Sequence, residues 1–124
     1  RSTLFPYTTL FRSFGVEKEP GKVAGILAAV YQDVFSQEVY PTLEEKAANL
    51  LYFLIKDHPF ADGCKRIAAA LFLEFLNKNN ALLHNGEKII SDSALVAITL
   101  MVAESKPEEK EIIIALVMNF LIKN

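Results

Sequence analysis

An almost wholly apolar run of ten residues, IAAALFLEFL at positions 67–76, constrains this chain more than any other feature. Glu74 carries its one charge, so a helix formed from the run is apolar nearly all round and must be buried at the centre of a fold. A polar segment, HPFADGCKR at positions 58–66, comes directly before it. A polar loop that opens onto a core helix is how an anion site is built at a helix N-terminus.

The size and composition of the chain predict one globular domain. The 124 residues can bury a real core, and 52% hydrophobic with 23% charged residues is not the composition of a disordered chain. A net charge of −2 argues against nucleic acid as the main partner, and no apolar run reaches the roughly 18 residues of a membrane span. The single Cys excludes an intrachain disulfide and, with no secretory signal pattern, indicates a cytoplasmic protein.

Periodicity and capping signals predict an all-α fold with about five helices and one small β-hairpin. Thr42 and Glu45 form a capping box, Pro59 disfavours helical geometry at His58, and Asn85-Gly86 suits a type I′ turn. The helices are expected at residues 22–36, 42–57, 65–79, 91–105 and, after a first turn at 107, 112–122, with the hairpin at residues 81–90.

The first 13 residues differ in character from the rest. The stretch LFPYTTLFRS, positions 4–13, looks like the in-frame translation of a widely used short-read sequencing adapter. We therefore expect residues 1–13 to be an artefact, and the domain to occupy residues 14–124 and to be truncated at its N-terminus. An ordinary N-terminal strand is the alternative.

The polar segment contains the residue types that phosphoryl chemistry needs. His58 is the one side chain in it with an ordinary pKa near neutrality and can take a proton from a hydroxyl. Asp62 is a hard oxygen ligand suited to Mg²⁺. The backbone N–H groups of Gly63, Cys64 and Lys65 can converge on an anion at the start of the core helix.

Two cations, Lys65 and Arg66, add positive charge there, and Phe60 is expected to point inward and anchor the loop. An ordinary structural reading stays open beside this one. A His before a Pro is usually a polar surface residue, Asp-Gly is a common turn, and Lys-Arg at a helix start is usually solvated.

The segment HPFADGCKR resembles the signature of the Fic/Doc (Fido) family, over a region of about residues 22–124. The segments YPTLEEKAANLLYFLIK and LVAITLMVAESKPEEKE are similar to the C-terminal module of RhuM-like virulence proteins of bacteria. The residues that match the death-on-curing branch of the family are His58, Pro59, Phe60, Asp62, Gly63, Lys65 and Arg66.

The resemblance implies the Fic/Doc helical fold and transfer of a group from a nucleoside triphosphate, ATP, to a protein hydroxyl. In that assignment His58 is the catalytic base and Asp62 holds Mg²⁺. The phosphates are bound by Gly63, Cys64, Lys65 and Arg66, while Pro59 and Phe60 are structural.

The product is expected to be phosphoprotein. Relatives that transfer AMP carry Gly at the position of Lys65 and a second Arg at that of Ala69, so the resemblance favours a death-on-curing-like toxin, a kinase of protein Ser or Thr. The expected target is a translation elongation factor, and the expected regulator an antitoxin or a missing N-terminal region. AMP transfer (AMPylation) is the alternative chemistry.

Cys64 departs from the family pattern, which has Asn at this position. A thiol cannot replace the hydrogen bonds of an amide. The site then works more slowly, or the protein is an inactive interaction module, or the thiol is redox-sensitive because a helix N-terminus and neighbouring cations lower a thiol pKa. A base-calling error at this codon is a further reading.

Overall fold

The computed structural model describes residues 21–31, 33–34, 37–57 and 64–122. This part of the chain is mostly helical, which confirms the predicted fold class. The five helices are α1 (Lys22–Val30), α2 (Leu43–Lys56), α3 (Cys64–Lys78), α4 (Asp92–Glu104) and α5 (Lys110–Leu121), with a 3₁₀ turn at Pro107–Glu109. Two antiparallel pairs of two-residue strands accompany them: β1 (Asp33–Val34) with β2 (Gln37–Glu38), and β3 (Leu83–His84) with β4 (Glu87–Lys88).

Helix α2 begins at the predicted capping box. The Thr42 hydroxyl accepts a hydrogen bond from the Glu45 N–H at 3.0 Å, and the Thr42 N–H donates back to Glu45 Oε1 at 3.4 Å. These reciprocal bonds satisfy backbone donors that a helix start leaves without partners. The helix ends at Lys56, with Asp57 as its C-cap, as Pro59 two residues further on predicts.

Helix α2, not α3, is central to the fold. It packs against each of the other four helices, and its buried positions run almost all the way round. The prediction that the apolar run at 67–76 forms the central helix was therefore wrong in detail. Helix α3 buries one wide face, and its other face is only partly covered. Residues fully or almost fully buried on the two helices include Leu50, Leu51, Leu54, Leu71, Phe72 and Phe75.

Two buried polar residues explain why the sequence pattern understated how much of α2 is buried. Lys46 and Asn49 are both buried, although a helical wheel places them beside the polar face. The Asn49 amide donates to the Glu45 carbonyl at 2.8 Å, and the Lys46 ammonium is bonded to groups outside the helix. Because buried polar groups are stable when hydrogen-bonded, these contacts allow this side of α2 to be buried in the core.

The end of α3 and the hairpin after it follow the sequence closely. Asn80 adopts a left-handed conformation (φ 59°), and the Ala81 N–H donates to the Leu76 carbonyl at 2.8 Å, which is the bonding of a Schellman cap. Asn85 (φ 54°) and Gly86 (φ 83°) form the turn between β3 and β4. Both conformations have φ above zero, as a type I′ turn requires.

Helix α1 is shorter than predicted. It ends at Val30, and Asp33 and Val34 instead pair with Glu38 and Gln37. The prediction of a helix to residue 36 was wrong, because the few apolar residues of this short stretch fit a helical period and an extended period equally well. The available backbone partner in β2 decides between the two conformations.

Helices α4 and α5 match their predicted positions. The Ser91 hydroxyl caps α4 by accepting from the Ala94 N–H at 3.1 Å. Pro107 begins the 3₁₀ turn that leads into α5, where a missing N–H costs nothing. No helix within the described ranges is both long and apolar enough to cross a membrane.

Candidate active site

The predicted site lies at the junction between α2 and α3. Five of its residues, His58, Pro59, Phe60, Asp62 and Gly63, are outside the described residues, and their assigned roles stay predictions. The structure describes both sides of this segment: the last turn of α2 and the first turn of α3.

The first turn of α3 places two cations in solvent. Cys64 is its first residue, and the side chains of Lys65 and Arg66 are both exposed. Ile67 and Ala68, the next two residues, are buried in the core. The helix therefore starts at the protein surface, where N–H groups without intrahelical partners and the positive end of the helix dipole favour an anion.

Position 69 has a different environment. Ala69 is one turn beyond Lys65 and is partly buried against the hydrophobic core. A long cationic side chain at this position would have to leave that packing to reach solvent. The described part of this helix start thus presents two cations, followed one turn later by an apolar residue at position 69.

The last turn of α2 is anchored to the end of α4. The Lys56 ammonium donates to the Ser105 carbonyl at 2.6 Å and to the Ala103 carbonyl at 3.3 Å. The Asp57 N–H donates to the Phe53 carbonyl at 2.9 Å and closes the helix. Sequence reasoning missed this anchor because nothing in the local pattern around Lys56 indicates a partner almost fifty residues away.

Two aromatic side chains contact each other near the same end of α2. The rings of Tyr52 and Phe53 lie edge to face, with centroids 6.1 Å apart. The ammonium of Lys110, the first residue of α5, lies 4.8 Å from the Phe53 ring centroid and 5.5 Å from that of Tyr52. Burial raises the pKa of the Tyr52 hydroxyl, and the nearby Asp57 carboxylate raises it further.

A hollow of about 220 Å³ opens beside this helix end. Its lining combines one face of α1 with the C-terminal end of α2, so it adjoins the residues that lead into His58. The residues that line it are Lys22, Gly25, Ile26, Ala29, Phe53 and Asp57.

The metal assignment rests on one carboxylate. Within the part of the chain that the structure describes, no group of three or more His, Cys, Asp or Glu side chains can hold a metal ion. Mg²⁺ is compatible with this, because it is commonly held by one or two carboxylates together with the phosphate oxygens of the substrate. Asp62 would supply that carboxylate.

His84, the second histidine of the chain, is exposed on β3 beside the hairpin turn, as expected for a solvated residue.

Comparison with known proteins identifies the family of this chain. No curated protein and no solved structure matches the chain. The model of the Fic/DOC family matches residues 4–76, more than half of the 124 residues. The matched region includes α1, α2, the HPFADGCKR segment and almost all of α3. This chain belongs to the Fic/DOC family.

Proposed function

We propose that this protein transfers the γ-phosphoryl group of ATP to a Ser or Thr hydroxyl of another protein. Family membership indicates a Fic-type transferase activity in general terms. The choice of phosphoryl transfer rests on the first turn of α3. There Lys65 and Arg66 are exposed, separated from Asp62-Gly63 only by Cys64, at a helix end that favours phosphate.

The residues divide the chemistry between them. His58 takes the proton from the attacking hydroxyl, a bond forms between that oxygen and the γ-phosphorus, and the bond from the γ-phosphorus to the bridging oxygen breaks to release ADP. The N–H groups of Gly63, Cys64 and Lys65, with the Arg66 guanidinium, hold the phosphate oxygens. Asp62 would hold Mg²⁺, which neutralises phosphate charge when bound. Pro59 and Phe60 have a structural role in the loop.

Two observations favour phosphoryl over AMP transfer. Lys65 occupies the position where AMP-transferring relatives have Gly, and its exposed side chain places a positive charge there that Gly would lack. Ala69 stands at the position of their second phosphate-binding Arg and packs on the core. The cations available for phosphate are therefore those of the death-on-curing pattern.

The biological setting follows from the same resemblance. We propose a cytoplasmic bacterial toxin that modifies a translation elongation factor and is restrained by an antitoxin or by an N-terminal region. Cys64 supports a second candidate, a catalytically inactive interaction module, because it removes the amide that the family has at this position.

A labelling experiment separates these candidates. The purified protein is incubated with Mg²⁺, purified elongation factor or bacterial lysate, and ATP labelled at either the γ- or the α-phosphate. Transfer of the γ label alone supports the proposal, transfer of the α label identifies AMP transfer, and no transfer of either label leaves the interaction module.

The two histidines of the chain provide a matched pair of variants. His58→Ala should abolish transfer, because no base then accepts the hydroxyl proton. His84→Ala should transfer as well as the unmodified protein, since His84 is exposed on β3. Equal activity in the His58 variant would refute its role as the base.

A further inference from the structure

The C-terminal end of α2 is held by a charge-assisted contact that crosses the fold. The Lys56 ammonium donates to the Ser105 carbonyl at 2.6 Å and to the Ala103 carbonyl at 3.3 Å. Both carbonyls lie at the C-terminal end of α4, where carbonyl groups lack intrahelical partners and the helix dipole is negative. A cation is therefore bound where its charge is most favourable.

A second contact acts on the same turn from α5. The Lys110 ammonium lies over the rings of Phe53 and Tyr52, at 4.8 and 5.5 Å from their centroids. The end of α4 thus contacts Lys56, and the start of α5 contacts the two aromatic residues three and four positions before it. A displacement of this turn has to break hydrogen bonds to a charged group as well as packing.

This turn leads directly into the predicted catalytic segment. Asp57 alone separates Lys56 from His58, and its N–H is bonded to the Phe53 carbonyl at 2.9 Å. Because the backbone is covalently continuous with few soft torsions, the position of Lys56 limits where His58 can lie. A catalytic base has to be within hydrogen-bond reach of the proton that it takes.

We propose that Lys56 is a positioning residue for the transfer reaction: it fixes the last turn of α2 against the end of α4 and thereby holds His58 in place. This inference rests on the proposed function, because it assigns Lys56 a role through the base of that reaction. Misplacement of a reacting group by about 1 Å can cost up to about 100-fold in rate. Removal of the Lys56 ammonium is therefore expected to lower kcat about 10-fold or more while the KM for ATP changes by less than about twofold.

The test compares three Lys56 variants with one matched control. Lys56→Met keeps the apolar stem and removes the charge, Lys56→Gln keeps a neutral donor, and Lys56→Arg keeps the cation. The control is Lys78→Met, which alters the last residue of α3, where the ammonium makes a 3.6 Å ion pair with Glu74 on the surface. All rates are measured well below the Tm of each variant, so that loss of folded protein does not contribute.

The expected order of kcat is Lys56→Met lowest, Lys56→Gln intermediate, and Lys56→Arg within about threefold of the unmodified protein, with Lys78→Met unchanged. Equal kcat values in Lys56→Met and Lys78→Met would overturn the proposal. A rise in the KM for ATP with kcat unchanged would also overturn it, because that result describes nucleotide binding and not placement of the base.

Amide hydrogen exchange distinguishes failure of this inference from failure of the proposed function. If the unmodified protein transfers no phosphoryl group, the proposed function fails, and exchange over residues 53–63 then decides the positioning role. Faster exchange there in Lys56→Met than in Lys78→Met supports the anchor, since local opening becomes easier. The same exchange in both variants refutes it.

Discussion

The Lys46 ammonium lies 2.6 Å from Glu38 Oε1 although the Lys46 side chain is only 4% exposed. The same ammonium donates to the Tyr40 carbonyl at 2.6 Å and lies 5.9 Å from the Tyr31 ring centroid. These contacts join β2 and the loop after it to the central helix α2. A buried cation is tolerated here because both a carboxylate and a carbonyl accept hydrogen bonds from its N–H groups.

The two partners of this pair should differ in what their removal costs. Glu38→Ala leaves a buried ammonium without its carboxylate, and we expect it to lower the free energy of unfolding by about 3 kcal/mol. Lys46→Met leaves Glu38, whose side chain is 32% exposed and can be hydrated, so its cost should be about 1–2 kcal/mol. Urea denaturation of the two variants measures the difference.

The double variant Glu38→Ala with Lys46→Met is the control for this asymmetry. It should be more stable than Glu38→Ala alone, because it removes the charge that the single change leaves buried. A double variant that is less stable than both single variants would contradict the account of Lys46 as a buried charge that needs its partner.

The capping box at the start of α2 should be measurable in stability. Thr42→Ala removes the hydroxyl that accepts from the Glu45 N–H and should cost about 1 kcal/mol of unfolding free energy. Thr42→Ser keeps a hydroxyl and should cost at most a few tenths of a kcal/mol. Chemical denaturation at neutral pH checks both values, and equal losses in the two variants would show that the methyl group and not the cap matters.

The pair between Lys88 on β4 and Asp92 in the first turn of α4 should make stability depend on pH in acid. A hydrogen bond from Lys88 Nζ to Asp92 Oδ1 at 2.6 Å, together with the positive charge of Lys88, lowers the pKa of Asp92 below its ordinary value of 3.8. A lowered pKa in the folded state means that the stabilisation is present above pH 3.8 and is lost as the pH falls through the folded-state value.

The measurement is the difference in stability between the unmodified protein and Lys88→Met. It should be small and positive at pH 7, and should disappear when the pH is well below 3.8. Because both side chains are solvent-exposed, 1 M salt should reduce the difference at pH 7 as well. A difference that grows in acid would contradict this assignment.

Position 64 should control the rate of transfer. Cys64→Asn restores the amide of the family pattern at the first residue of α3, and we expect kcat to rise by about 10-fold or more, the worth of one hydrogen bond to a charged group. Cys64→Ser provides a hydroxyl of similar size and should give a smaller increase. A continuous assay of ADP release with saturating target protein measures both.

The result at position 64 also separates the two readings of Cys64. A slow enzyme gains activity in Cys64→Asn, whereas a module that has lost further catalytic features stays inactive in every variant. If Cys64→Asn transfers more slowly than the unmodified protein, the thiol itself has a role in the reaction.

The central position of α2 predicts where core truncation costs most. Leu51→Ala, at a fully buried position of α2, should lower the unfolding free energy by about 2–5 kcal/mol through lost burial and the cavity left behind. Leu100→Ala, at a position of α4 that is 49% exposed, should cost less than about 1 kcal/mol. Thermal or urea denaturation compares the two, and equal losses would contradict the packing described for α2.

Local signals in the sequence predicted most helix and turn boundaries. The Thr42 capping box, the end of α2 before Pro59 and the Asn85-Gly86 turn each depend on residues within a few positions of one another. The HPFADGCKR segment was enough to indicate the family, because its chemistry is concentrated in nine consecutive residues. The branch of the family and the roles of the individual site residues remain predictions.

Contacts between distant segments were decided only by the tertiary structure. By its sequence pattern Lys46 is an ordinary surface lysine. It can be buried because its ammonium donates hydrogen bonds to Glu38 and to the Tyr40 carbonyl, which precede α2 in the chain. Lys56 likewise donates hydrogen bonds to carbonyls at the end of α4, because the packing of the helices brings these groups within reach. Periodicity and capping report what a residue's near neighbours along the chain favour, whereas the partners of a long cationic side chain depend on how whole helices pack.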